Sequence, residues 1–263
     1  MVLEYEGTAY AGFQRQANAP SVQATIEEAI AALTGQQARL YGAGRTDAGV
    51  HALGQVAAFD TASGLSADRL RDGLNHYLPL DVAVVEAHET APDFDPRRHA
   101  LSRVYRYSLL TRRARSPLRR RFTHAAPGPL DIAAMAAVLA ALEGKRDFAP
   151  FCGRYPEGKP TCRRILRTAV WREGAEAHIE IEGNAFLPQQ ARRMAAAVLE
   201  VGLGERTSRE FEQLANSGRR GAAQAVLPPQ GLTLRQVKYA NFPPHDYATA
   251  THDQAHAESA ARP

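Results

Sequence analysis

Apolar positions along this chain recur with two different periods, and the switches between them mark out its elements. Alternating, β-rich runs at 1–6, 38–43, 55–59 and 82–87 read as strands. Between them lie two stretches with helical spacing. The first puts Val22, Ile26, Ile30 and Leu33 on one face, with Ser21 placed to cap its start after Pro20 and Gly35 to stop it. The second runs from about Ser66, carries Leu70, Leu74 and Tyr77 on one face, and ends before Pro79. This part of the chain therefore reads strand, helix, strand, strand, helix, strand.

The same order then recurs. Strands at 102–111, 163–171, 177–182 and 232–239 surround helices at 131–142 and about 189–202, with a short further helix near 208–217. A β-α-β-β-α-β order is the split-βαβ, ferredoxin-like arrangement, in which helices cover one face of an antiparallel sheet. The predicted fold class is α+β: two ferredoxin-like units side by side in one broad, mainly antiparallel sheet, with helices on one face and a cleft on the other. Residues 1–97 make the first unit and 98–243 the second, while 244–263 lack any apolar period and read as a disordered tail. The repeat is asymmetric. The junction between strands two and three of the first unit is a loop carrying Asp47, and its counterpart in the second unit is the short Arg172-Glu173-Gly174-Ala175 hairpin.

At 263 residues the chain can bury one large core or two small ones. It holds no run of ~18 apolar residues to span a bilayer, and an acid with a Gly-Thr turn stands where a signal peptide needs a basic and then an apolar run. The expectation is a cytoplasmic protein with no membrane partner. Cys152 and Cys162 are the only cysteines, and their spacing fits neither a redox pair nor a zinc site. The net charge of +4 permits a polyanionic partner. Its distribution says more: ten arginines and no acid lie between Arg97 and Arg121, with Tyr105, Tyr107 and Phe122 among or beside them. Guanidinium groups bind phosphate and stack on bases, so Arg112, Arg113 and Arg115 are candidate RNA contacts. Lysine occurs only at 145, 159 and 238, so a general preference for arginine accounts for part of that run.

Residues 42–55 read Gly-Ala-Gly-Arg-Thr-Asp-Ala-Gly-Val-His-Ala-Leu-Gly-Gln, which sets one carboxylate among small residues, with Arg45 and His51 as donors on either side. Its stretch from Gly44 to His51 resembles the Gly-Arg-Thr-Asp-Ala-Gly-Val-His signature of the tRNA pseudouridine synthase A family. Tyr5-Glu6-Gly7-Thr8-Ala9-Tyr10-Ala11-Gly12-Phe13-Gln14-Arg15-Gln16 is similar to that family's opening segment, and Ser21-Val22-Gln23 to the helix after it. Arg103-Val104-Tyr105-Arg106-Tyr107, Gly183-Asn184-Ala185-Phe186 and Pro229-Gln230-Gly231-Leu232 follow in the family's order. Two departures stand out. Family members carry several residues before the position of Val2, and Leu187-Pro188-Gln189-Gln190-Ala191 alters the residues preceding the family arginine at Arg192.

The resemblance implies an isomerase that converts uridine to pseudouridine at positions 38, 39 and 40 of the tRNA anticodon stem-loop, working as a homodimer in which one tRNA touches both subunits. The reaction breaks and remakes a bond between ribose and uracil without redox change or net water, so it requires neither metal nor organic cofactor. It needs a carboxylate, a base turned out of its stack, and a closed site. Asp47 is the implied nucleophile. A buried carboxylate needs a cation nearby to stay ionised; the resemblance implies Arg192, although on pattern alone Arg193 serves equally. Arg45 resembles the arginine that assists base extrusion, and it could equally bind phosphate. Tyr105 and Tyr107 share a strand face; the resemblance assigns Tyr105 to stacking on the uracil, Tyr107 to support and Leu232 to packing near the ring, while core packing accounts for all three as well. One rival is a non-catalytic RNA-binding module, which lacks the expected RRM run and leaves the Asp47 loop unexplained. The other is a hydrolase pairing Asp47 with His51, for which no third ligand stands at metal spacing.

Overall fold

The computed structural model describes residues 1–240 and Phe242, so the tail expected at 244–263 lies outside the described residues. The chain enters through β1 (Val2–Tyr5), α1 (Val22–Thr34), β2 (Tyr41–Gly42), β3 (His51–Ala58), α2 (Ala67–Tyr77) and β4 (Val82–Glu86). The caps of α1 are those the sequence predicts, and α2 starts where expected. Ser21 Oγ accepts from the Ala24 N–H at the start of α1, Gly35 ends it with φ +70°, and Ser66 caps α2. Asn75 then fixes α2 to the sheet, because its side-chain amide donates to Val84 O and its carbonyl accepts from Val84 N, both at 2.8 Å.

The second passage comprises β5 (Ser102–Leu110), β6 (His124–Ala125), α3 (Ile132–Ala140), β7 (Gly144–Asp147), β8 (Cys162–Glu173), β9 (Glu176–Gly183), α4 (Gln190–Gly202), α5 (Ser208–Ala215) and β10 (Leu232–Lys238). Asp131 caps α3, and Thr207 with Glu210 forms a reciprocal capping box on α5. The pattern of apolar positions does not show β6 or β7. Of these, β6 is two residues long, and β7 reads Gly-Lys-Arg-Asp and pairs with β8 at the sheet edge.

The strands form one sheet in the order β4-β1-β3-β10-β5-β9-β8-β7, with β2 on β3 and β6 on β5. Each passage therefore contributes the same arrangement: β4-β1-β3-β2 from the first and β10-β5-β9-β8 from the second. The join is made by β10, antiparallel to β5 and parallel to β3 through Thr233↔His51 and Leu234↔Ala52. That join also explains two differences from the expected boundaries. The edge of β3 is shared, its far end taken by β2 at Tyr41↔Ala58 and its near end by β10, so β2 shrinks to two residues and β3 begins at His51 rather than near 55. A partner some 180 positions away in sequence sets both limits, and no local period reports it.

Cross-strand pairs Leu232↔Tyr107 and Leu234↔Tyr105 put these side chains on one face, with Ile181 and Ile179 beside them on β9. All are buried, and α4 packs on β5 above them. The opposite face is polar: Arg106 pairs with Glu180 at 3.0 Å and lies over Trp171, and Lys238 reaches Glu182 at 2.9 Å. This open face does hold a cavity, of about 680 Å³, between Glu4, Glu6, Arg106, Arg121, His178 and Arg235. The candidate residues do not line it. Tyr105, Tyr107 and Leu232 instead share the face on which α4 packs against β5.

Candidate active site

The loop joining β2 to β3 is held from several sides. Its backbone is tied by Gln55 Nε2 donating to Gly44 O at 2.9 Å, by the Phe13 N–H donating to Thr46 O at 3.2 Å, and by the Gly49 N–H donating to Tyr10 O at 3.2 Å. Tyr5 and Thr46 share a buried hydrogen bond of 2.9 Å. Gly49 sits at φ +77° with Pro229 against it, so a Cβ there would meet Pro229 Cγ at 2.9 Å. The opening segment, the loop and the Pro-Gln-Gly-Leu turn thus converge, though they are far apart in sequence.

From this scaffold Asp47 Oδ2 accepts from Arg192 Nη1 at 3.1 Å. Arg192 lies in the first turn of α4 and also donates from Nε to Leu227 O at 2.7 Å, which fixes its fork toward the loop. Arg193 points elsewhere: Nε and Nη2 donate to Gln189 Oε1, and Nη1 donates to Ala223 O. Pattern alone left the two arginines equal, and helix phase separates them. The burial differs from expectation. The Asp47 side chain is 40% exposed and that of Arg192 only 13%, so the desolvation cost falls on the cation and the carboxylate faces open space.

Tyr105 is buried with its ring edge-on to Phe186, centroids 4.9 Å apart. Burial pushes its hydroxyl up to about 12, with Arg103 opposing and Asp47 adding to the shift. Among the described residues that hydroxyl makes no hydrogen bond. Tyr107 lies deeper, and its hydroxyl donates to Pro228 O at 2.8 Å. A Cβ on Gly231 would come within 2.6 Å of its ring, so the turn before β10 rests directly on Tyr107. Leu232, buried opposite Tyr107, belongs to the same packed layer.

The other expected donors separate. Arg45 is exposed and makes no ion pair among the described residues. Arg112 donates to Ala114 O and Arg115 O within its own exposed turn, and Arg113 and Arg115 are exposed beside it. The run from Arg97 to Arg121 is not a continuous track, because the fold brings to it acids that the linear window lacked. Glu180 takes Arg106, Glu176 takes Arg119 at 2.6 Å and Glu6 takes Arg121 at 3.1 Å. Arg103 is buried and donates to the carbonyls of Ala43, Arg97, Ala100 and Asn184.

His51 does not flank the acid as a donor. Its Nδ1 accepts from the Gly7 N–H at 3.0 Å, and Nε2 lies 2.7 Å from Arg121 O, an arrangement that needs the neutral ring with its proton on Nε2. Burial pushes its pKa down. With both nitrogens committed, an Asp47–His51 hydrolytic pair has no chemistry to offer. The residues that sequence reading missed are the supports: Gln55 and Thr46 under the loop, Arg103 behind it, and Phe186 against Tyr105. A buried glutamine inside the apolar run of β3 was the available signal.

Comparison with known proteins places the chain in a family. The sequence profile described as tRNA pseudouridine synthase matches residues 1–97 and 138–240. A protein of Geobacter sp. strain M21 named tRNA pseudouridine synthase A is 42% identical over 240 residues, covering 91% of this chain and 97% of its own length. One of the same name from Myxococcus xanthus is 43% identical over 245 residues, covering 93% and 92%. Among the described residues, no helix is long and apolar enough to cross a membrane.

Proposed function

The chain belongs to the tRNA pseudouridine synthase family and is an isomerase of tRNA uridine, and on that premise we propose that Asp47 is its catalytic carboxylate and the anticodon stem-loop its substrate, at uridines 38, 39 and 40. The observation that carries the reading is the Asp47–Arg192 pair, a half-exposed carboxylate gripped by a largely covered guanidinium beside the Tyr105 ring.

In the isomerisation the bond from C1′ to N1 breaks and its electron pair leaves with the uracil. The base turns, C5 supplies the pair for the new bond to C1′, and the proton lost from C5 is balanced by the one gained at N1. Asp47 attacks or stabilises the electron-poor centre left by the first step, and Arg192 keeps the carboxylate aimed. Tyr105 supplies the apolar surface against which an extruded uracil rests, a contact worth ~1–3 kcal/mol. Arg45, exposed two residues before Asp47, meets the RNA near the vacated stack or at phosphate. Arg112, Arg113 and Arg115 contact the backbone, while Tyr107 and Leu232 support the ring from below. The two sheet passages divide at residues 97 and 98 into a unit carrying the acid and a unit supplying Arg192 and Tyr105. The active form is a cytoplasmic homodimer in which one tRNA touches both subunits.

Asp47→Asn tests the assignment, since it preserves size and hydrogen bonding but removes charge and nucleophilicity. Single-turnover assays on an unmodified tRNA transcript should show no pseudouridine, and binding should stay within a few-fold of wild type. An appreciable rate in this variant would remove Asp47 from the catalytic role.

A further inference from the structure

Arg193 takes no part in the pair that Arg192 makes with Asp47. It stands one residue beyond Arg192, about 100° further round α4, and lines a separate cavity of about 500 Å³. Arg193, Ala197 and Glu200 follow one another at helical spacing and form one wall. Arg219 and the stretch Ala222-Ala223-Gln224-Ala225 form the other, with Arg206 and Leu214 also in the lining.

The charge of this groove is unbalanced. Arg206 is answered by Glu200 at 2.8 Å, but Arg193 has only neutral acceptors, Gln189 Oε1 and Ala223 O. The Arg219 side chain is exposed and makes no ion pair among the described residues. Three arginines thus line the groove against one carboxylate, and the guanidinium fork matches phosphate oxygens in geometry as well as charge. Burial lowers the pKa of Arg193, with Arg192 adding to the effect, so an anion arriving there relieves an existing cost.

We propose that this groove along α4 binds a backbone phosphate of the tRNA, with Arg193 and Arg219 as its ligands and Arg206 as a partly neutralised third. The inference rests on the tRNA-modifying reading and extends it. Because Arg192 and Arg193 share one helical turn, a phosphate held by the second is registered against the carboxylate held by the first.

Two variants with opposite expected signs test it, using full-length unmodified tRNA at several salt concentrations. Arg219→Glu, at an exposed position, should weaken binding at least tenfold at low salt and reduce the slope of log affinity against log salt by roughly 0.7 to 0.9. Glu200→Gln, which frees Arg206, should tighten binding severalfold; a folding defect would weaken it. Unchanged affinity in both variants overturns the proposal. Calorimetry with inorganic phosphate supplies the second arm. Phosphate binding that Arg219→Glu abolishes, with tRNA affinity unaltered, would assign the groove to free anion and also overturn it. Wild-type pseudouridine formation on that tRNA is measured alongside: its absence would reject the proposed substrate reading, whereas turnover with an indifferent groove rejects only the groove.

Discussion

At the residue scale, the fold turns similar side chains to different ends. Arg103, Arg106 and Arg192 share a chemistry, yet the first holds backbone carbonyls, the second pairs across the polar sheet face, and the third grips Asp47. His51 shows the same division between type and role. Its Nδ1 must be unprotonated to accept from Gly7, and burial lowers its pKa from the ordinary 6.5. The unfolded chain therefore takes up a proton at a higher pH than the native protein does. Stability is fully present above about pH 6.5 and declines as pH falls toward the lowered native value. His51→Gln keeps an acceptor for Gly7 and a donor for Arg121 O without titrating. Its melting temperature should fall less between pH 7 and 5 than that of wild type, with His124, His178 and the Met1 amine, also lowered by burial, contributing to the remainder. Identical pH slopes in the two proteins would show that His51 is not a source of acid sensitivity.

At the element scale, what was legible in the sequence is what local physics decides. The first helix begins and ends at its predicted caps, and the second begins at the expected Ser66, since Ser21, Gly35 and Ser66 act within a turn of themselves. The limits of β2 and β3, the charged edge strand β7 and the support of the Asp47 loop depend on distant partners, and so were not legible. Asp47 and Arg192 could be named from motifs, but that Arg192 and not Arg193 meets the acid depended on the turn at Gln189 that starts α4 with φ +60°. Arg103 gives this scale its prediction. It donates to carbonyls of the β2–β3 loop, the segment before β5 and the end of β9. Replacing it with Met leaves those carbonyls in a buried position without donors, at ~1–3 kcal/mol for each that water cannot reach. Arg103→Met should lower the urea midpoint by an amount on the order of 3 kcal/mol in stability. A variant with native stability and weaker tRNA binding would return Arg103 to the RNA-contacting set.

At the scale of the whole molecule, the acid and the exposed arginines stand on different passages of one sheet, and the proposed dimer lets them serve one tRNA from different subunits. This arrangement has a consequence that neither residue nor element shows alone. Asp47→Asn destroys chemistry and leaves the basic surface intact. The triple replacement of Arg112, Arg113 and Arg115 by Gln leaves the acid intact, removes exposed cations that pair with no carboxylate among the described residues, and should weaken binding while flattening its salt dependence. Each parent homodimer is then defective for a separate reason. When the two are mixed and allowed to exchange subunits, a mixed dimer has one composite site with both functions: the arginines of the Asp47→Asn subunit and the carboxylate of its partner. If one tRNA spans both subunits, pseudouridine formation at limiting tRNA should rise well above the sum of the parents, toward half the wild-type rate per mixed dimer. If each tRNA uses the acid and the arginines of the same subunit, no mixed dimer contains an intact site, and the mixture should give only the summed parental rates. That second result, in a sample shown to have exchanged, would reject the shared substrate while leaving the role of Asp47 untouched.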